Sequence, residues 1–192
     1  MAPDRVDDRP ETAMTFEQLF ADYRSLVYGI CLKFMGTPED AEDAAQEVFT
    51  KIWKKLEDFQ DQSSLKTWIY RIAINTCIDH SRRPWRRLTR RRAALEELES
   101  QGEEESLLSG GSSAEERLLA EEQASQVRRA VARLKPHLRA VLILKDLEGL
   151  SYEEISAVLG INLGTISSRL NRARKALQDH LRASGTVPPS GS

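Results

Sequence analysis

Residues 151 to 182, SYEEISAVLGINLGTISSRLNRARKALQDHLR, constrain the fold more than any other stretch, because they read as two short helices joined at a glycine. Ser151, with Glu154 three residues on, forms a capping box for the first helix. Ile155, Val158 and Leu159 share one of its faces, and Gly160 ends it. Asn162 caps a second helix in which Ile166, Leu170, Ala173 and Leu177 recur at spacings of four, three and four, one inward stripe. Opposite that stripe lie Thr165, Ser168, Arg169 and Arg172: short hydrogen-bonding residues near the amino end, with guanidinium groups behind them. This is a helix-turn-helix pattern, in which the second helix enters a major groove and its arginines grip phosphate or read guanine. The competing reading of the pattern alone is a solvated amphipathic helix in some other bundle.

The charge distribution narrows the class further. The formal net charge of −2 hides blocks: residues 1 to 47 carry 11 acids and 4 bases, residues 63 to 95 carry 1 acid and 9 bases, and residues 96 to 126 carry 10 acids and 1 base. One chain thus has both polyanion-seeking and polyanion-like surfaces. No apolar run approaches the roughly 20 residues that span a bilayer, and the Asp- and Arg-rich amino terminus lacks the apolar core of a signal peptide, so a cytoplasmic location is expected. Cys31 and Cys77 sit inside helical apolar patterns and read as buried small hydrophobes. His80, His137 and His180 stand apart from one another and from the cysteines, which gives no metal-ligand spacing. There is no glycine-rich phosphate loop and no nucleophile signature, so no cofactor, metal or catalytic residue is expected.

Punctuation divides the chain into two helical units. Residues 1 to 14 and 184 to 192 are polar and proline-bearing, expected as disordered tails. The first unit opens near Thr15, with Phe16, Leu19, Phe20, Tyr23, Val27 and Ile30 at helical spacing and Gly36 as the stop. Thr37 followed by Pro38 starts a second helix. Its stripe is Ala41, Ala44, Ala45, Val48, Phe49, Ile52 and Leu56, and Asp40, Asp43, Gln46 and Glu47 form an acidic and amide ridge outside it. After the polar loop 59 to 64, a third helix turns Leu65, Trp68, Ile69, Ile72, Ala73 and Thr76 inward and Lys66, Tyr70, Arg71, Asn75 and Asp79 outward. Trp53 and Trp68 read as core.

Residues 82 to 92, RRPWRRLTRRR, place 7 arginines in 11 positions, either a phosphate-contacting arm or a flexible basic tail. Residues 93 to 113 read as an acidic linker with a Gly/Ser hinge. The second unit runs from 114 to 183, with a helix to Leu134, another opened by Pro136 and closed by Gly149, and the helix-turn-helix. With no period-2 alternation, the expected fold is all-α: two small helical domains joined by a flexible acidic linker, the second containing a helix-turn-helix.

The succession DAEDAAQEVFTKIWKKL, SSLKTWIYRIAINTCIDHSRR and LEGLSYEEISAVLGINLGTISSRLNRARKAL resembles the extracytoplasmic-function (ECF) group of bacterial RNA polymerase sigma factors. The resemblance covers about residues 15 to 92 (sigma region 2) and 114 to 182 (within a region 4 domain running to 183), with no third sigma domain between them. It implies that Asp40, Asp43, Gln46 and Glu47 dock on the β′ coiled coil of core polymerase, and that region 4 meets the β flap. It also implies minus-ten DNA contacts by Phe59, Ser63, Ser64, Arg71, Asn75, Asp79, Arg82 and Arg83. Melting needs a pocket for an extruded base, an aromatic wall beside an amide, and Phe59 with Asn75 match that requirement. By the same resemblance, Asn162, Gly164, Thr165, Ser168, Arg169, Arg172 and Lys175 contact the minus-thirty-five element, Lys175 on phosphate. An anti-sigma factor is a further expected partner. The acidic linker is open to two readings, a strand near the path of nascent RNA or a solubilising segment. The rival to this whole reading is a helix-turn-helix regulator that never joins polymerase, for which the ridge, aromatic loop and arginine arm have no use.

Overall fold

In a computed structural model of the chain, the described residues are 14–57, 59, 64–82 and 114–183, with side chains of 114–120 left aside. Ser63, Arg83, the rest of the arginine block, the 93 to 113 linker, residues 1–13 and the 184 to 192 tail lie outside them. Every element among the described residues is helical: α1 (Phe16–Met35), α2 (Pro38–Lys55), α3 (Leu65–Arg82), α4 (Ala114–Arg133), α5 (Pro136–Leu142) running into a π-turn (Ile143–Leu147), α6 (Tyr152–Leu159) and α7 (Leu163–Ala183).

Local chemistry sets most of the boundaries. The Thr15 hydroxyl accepts from the Gln18 N–H while the Gln18 side chain accepts from the Thr15 N–H, a closed capping box at the start of α1. Gly36 stops α1 at φ 90°, a left-handed conformation costly for other residues. A second constraint acts there, because a Cβ on Gly36 would lie 2.8 Å from the Cβ of Ala132 on α4. Thr37 then caps α2, with Pro38 in its first turn. Ser64 caps α3, its hydroxyl accepting from the Thr67 N–H at 3.1 Å. Ser151 and Glu154 close a second capping box, Gly160 sits at φ 65°, and the Asn162 amide oxygen accepts from the Thr165 N–H at 2.8 Å.

The inward stripes are largely as the periodicity predicts. Leu19, Val27 and Ile30 of α1, Ala41, Ala44, Val48 and Ile52 of α2, and Ile69 and Ala73 of α3 are fully buried. Two sequence expectations fail. Trp53, read as core, is 62% exposed, and Tyr70, expected outward on α3, is buried; Phe20, at helical spacing on α1, is 41% exposed. The sequence also predicts one helix from Pro136 to Gly149, but it widens into a π-turn whose last bond runs from the Glu148 N–H to the Ile143 carbonyl.

The two bundles are not separate bodies. One continuous core runs from Leu19 in α1 to Ala173 in α7. α4 lies against both α1 and α7, while α5 and α6 both touch α3. Tyr70 is buried because α3 is covered on its second side, which no single-helix periodicity reveals.

Candidate functional site

The outer surface of α2 carries the first candidate set. Asp43 and Gln46 are exposed, Asp40 and Glu47 half-buried, and Glu47 pairs with Lys51 one turn on at 3.1 Å. Beside this ridge is an apolar groove that the sequence stripe did not disclose. Phe20 stacks edge-on to Phe49 with ring centroids 4.7 Å apart, Phe16 flanks both, Trp53 forms one wall, and Glu42 and Gln46 stand at the rim. The signal was present at the border of the α2 stripe, where Ala45, Phe49 and Trp53 recur every four residues. Large apolar side chains are thus exposed side by side next to a polar ridge, an arrangement common at protein interfaces.

The second set lies on and before α3. Phe59 is half-buried with its ring 5.0 Å from that of Trp68. Trp68, read as core, is half-buried and packs at the core's edge. Asn75, Asp79 and Arg82 are exposed along the same helix. Arg71 is also exposed, yet its guanidinium donates to the Ala157 carbonyl of α6 at 2.7 Å. The Ser64 hydroxyl, exposed at the helix entry, accepts from the Thr67 N–H.

The third set is the polar face of α7. Ser168, Arg172 and Lys175 are exposed, Thr165 and Arg169 half-exposed, and Ile166, Leu170 and Ala173 are buried beneath them. Asn162 and Gly164 stand exposed at the entry, where the Asn162 side chain acts as the cap. Arg174 points away and is spent internally, donating two hydrogen bonds to Asp146 at 2.9 and 2.6 Å, an interaction that raises its pKa. The other bases concentrate positive potential. Burial, then the charges of Arg169, Lys135, Arg172 and Arg82, hold His137 below the usual imidazole range. Among the described residues no cluster of His, Cys, Asp and Glu suits a metal, and Cys31 and Cys77 are buried free thiols.

Comparison with known proteins matches residues 19–98 to the sigma-70 region 2 family and residues 124–177 to sigma-70 region 4. The RNA polymerase sigma-H factor of Pseudomonas aeruginosa is 35% identical over 167 residues, 87% of this chain and 86% of that protein. The ECF RNA polymerase sigma-E factor of Escherichia coli is 33% identical over 172 residues, 87% of this chain and 86% of the relative. The chain belongs to the ECF sigma factors. The sigma factor also resembles the solved RpoE of Bartonella quintana in complex with the anti-sigma factor NepR, at 25% identity, TM-score 0.58, covering 87% of this chain and 96% of that one. It is an alternative sigma factor, which binds core RNA polymerase, directs it to promoters and helps melt the minus-ten element. The region 2 match disfavours a stand-alone helix-turn-helix regulator, which has no need of that domain.

Proposed function

We propose that the α2 ridge of Asp40, Asp43, Gln46 and Glu47, together with the groove of Phe16, Phe20, Phe49 and Trp53, is the surface that docks on the β′ coiled coil of core polymerase. Carboxylates and amides give register against a basic partner, and a groove able to take an apolar side chain gives affinity. The observation that carries this reading is Trp53, a large aromatic side chain 62% exposed at the edge of the acidic ridge. Region 4 then meets the β flap, and residues 15 to 92 and 114 to 183 act as the two working domains.

On the DNA side, Phe59 and Asn75 bind an extruded minus-ten base, while Ser63, Ser64, Arg71, Asp79, Arg82 and Arg83 line its flanks. Thr165, Ser168, Arg169 and Arg172 read the minus-thirty-five element in the major groove, and Lys175 meets its backbone. Asn162 and Gly164 supply the helix entry, where backbone N–H groups favour phosphate. The protein acts by binding and not as an enzyme, in the cytoplasm; no described helix is long and apolar enough to cross a membrane. An anti-sigma factor, the kind of partner seen with the Bartonella relative, would act by covering these surfaces. The test is titration of labelled full-length protein with core polymerase and then with promoter DNA. Binding of polymerase by wild type and its weakening in Trp53→Ala supports the docking surface, and equal affinity of the two removes the groove from it.

A further inference from the structure

The recognition helix α7 begins on an apolar side chain that the core does not use. Leu163, its first residue, continues the inward stripe, since Leu163, Ile166, Leu170, Ala173 and Leu177 follow one another at spacings of three, four, three and four. Ile166, Leu170 and Ala173 are buried, and Leu177 packs at the core's edge. Leu163 is 44% exposed, so the stripe outruns the core at the amino end of α7. From there to Lys175 every other exposed residue of the helix is polar or glycine.

Helix entry does not call for a leucine at this position. A hydrophobic staple pairs the residue before the cap with the fourth helical residue. Here those are Ile161, packed at the edge of the core, and the buried Ile166, while the cap itself is Asn162. The helix dipole favours an acid in the first turn, and α7 has none there.

The backbone on both sides of Leu163 is pinned. The Ser156 hydroxyl of α6 donates to the Ile161 carbonyl at 2.7 Å, the Gly160 N–H to the Ser156 carbonyl at 2.8 Å, and the Thr165 N–H to the Asn162 side chain at 2.8 Å. A side chain presented this way loses little freedom on contact. The neighbouring Gly164 is unexplained from within the protein as well. Glycine is a poor helix former, and this one lies outside the left-handed region. A Cβ on it would meet only the Asn162 amide oxygen at 3.6 Å, an ordinary contact. The tip of α7 is thus an apolar knob beside a bare stretch of backbone, an arrangement suited to close approach by another molecule.

The amino-terminal residues of a recognition helix are the ones that reach base edges. Among the features that bases display in the major groove, the thymine 5-methyl is the apolar one. We propose that Leu163 is a specificity-determining residue that packs on the 5-methyl group of a thymine in the minus-thirty-five element, with Gly164 letting the tip of α7 close on the DNA beside it. This rests on the α7 reading proposed above and adds to it an apolar contact from outside the hydrogen-bonding set of Thr165, Ser168, Arg169 and Arg172.

The experiment uses polymerase holoenzyme carrying the full chain and a promoter fragment selected by that holoenzyme from a minus-thirty-five library. Each thymine of the element, on either strand, is replaced in turn by uracil, which deletes one methyl and leaves base pairing and the O4 acceptor in place. Wild type is expected to lose affinity about fourfold at one such position, the gain from burying a single methyl-sized group. Leu163→Ala melts like wild type, binds the thymine fragment more weakly, and shows no uracil penalty at that position. Gly164→Ala keeps or raises the melting temperature and weakens every fragment alike.

A selected element without thymine, or uracil without effect at every thymine, overturns the contact. So does a uracil penalty undiminished in Leu163→Ala, which passes the methyl to another group such as the Thr165 side chain. Gly164→Ala binding as tightly as wild type overturns the close approach. Exchange of whole base pairs keeps the underlying reading separate: if no exchange alters wild-type affinity, α7 does not read the element at all, whereas sensitivity to base pairs with indifference to the methyl removes Leu163 alone.

Discussion

The outer faces of α2 and α7 ride on similar amphipathic helices, both with apolar stripes buried against their bundles, but they meet water differently. On α2 the ridge is acidic and runs into an aromatic groove, with Phe20 and Trp53 left exposed. On α7 a single large apolar side chain, Leu163 at the first turn, is exposed; the polar face runs from hydroxyls to arginines and a lysine, with Ile166 and Leu170 buried beneath. A protein partner rewards burial of large apolar side chains within a polar rim. DNA rewards positive charge and short donors and acceptors that reach base edges. The contrast supports the proposal that polymerase takes the first surface and the upstream element the second, and substitutions can break it.

The largest effect is expected where two charges are reversed on the docking ridge. Asp43→Arg with Glu47→Arg should abolish measurable affinity for core polymerase, because like charges brought together at an interface cost several kcal/mol. Folding should survive, since both positions lie outside the buried stripe; Glu47 gives up its pairing with Lys51, a matter of tenths of a kcal/mol. Circular dichroism checks the fold and fluorescence anisotropy the affinity. Undiminished binding would separate the ridge from polymerase. The neighbouring pair Ile52 and Trp53 sharpens the point: Ile52→Ala should cost about 2 to 5 kcal/mol of stability by opening a core cavity. Trp53→Ala should leave the melting temperature nearly unchanged and weaken polymerase binding by about 2 kcal/mol.

That pair also shows how far the sequence can be read. Helix starts and stops were legible because their causes are local: Thr15 with Gln18, Thr37 with Pro38, Ser151 with Glu154, and glycines at 36 and 160. Buried stripes were legible because periodicity reports one covered face. What periodicity cannot report is a second covered face, which is why Tyr70 looked exposed, or a stripe that runs out beyond the bundle, which is why Trp53 looked buried. Arg139 and Glu148 are a third kind of miss. Each looks like an ordinary charged residue in an aliphatic segment, and its meaning lies in partners some 80 to 115 positions away, at Phe34, Lys33 and Tyr70. The candidate site was thus legible wherever one helix face carries it.

Melting offers an intermediate effect, on a third surface carried by α3. Asn75→Ala should leave polymerase assembly and closed promoter binding intact and reduce open-complex formation. An extruded base would lose an amide partner worth about 1 to 3 kcal/mol. Permanganate reactivity of promoter thymines is the readout, and reactivity equal to wild type would remove Asn75 from the pocket beside Phe59 and Trp68.

The smallest effects test whether the polar face of α7 is itself divided. Arg169 lies between the buried Ile166 and Leu170 in sequence but is half-exposed on the outer side, about two turns beyond the entry at Asn162, whereas Lys175 is exposed farther along the helix. A guanidinium near the amino end of a recognition helix can pair with guanine on two atoms, and loss of such a pair costs about 1 to 3 kcal/mol at one base position. An ammonium farther back meets only phosphate; its loss weakens every sequence alike and lowers the salt slope by about one unit. The polymerase holoenzyme carrying Arg169→Ala or Lys175→Ala, bound to a library of minus-thirty-five variants at several salt concentrations, distinguishes the two. Arg169→Ala should flatten the preference at a single position and Lys175→Ala should leave the preference profile unchanged. If both lower affinity uniformly, Arg169 is a second phosphate clamp, and base discrimination passes to Thr165, Ser168 and Arg172, of which the short Thr165 and Ser168 hydroxyls would require α7 to sit deeper in the groove.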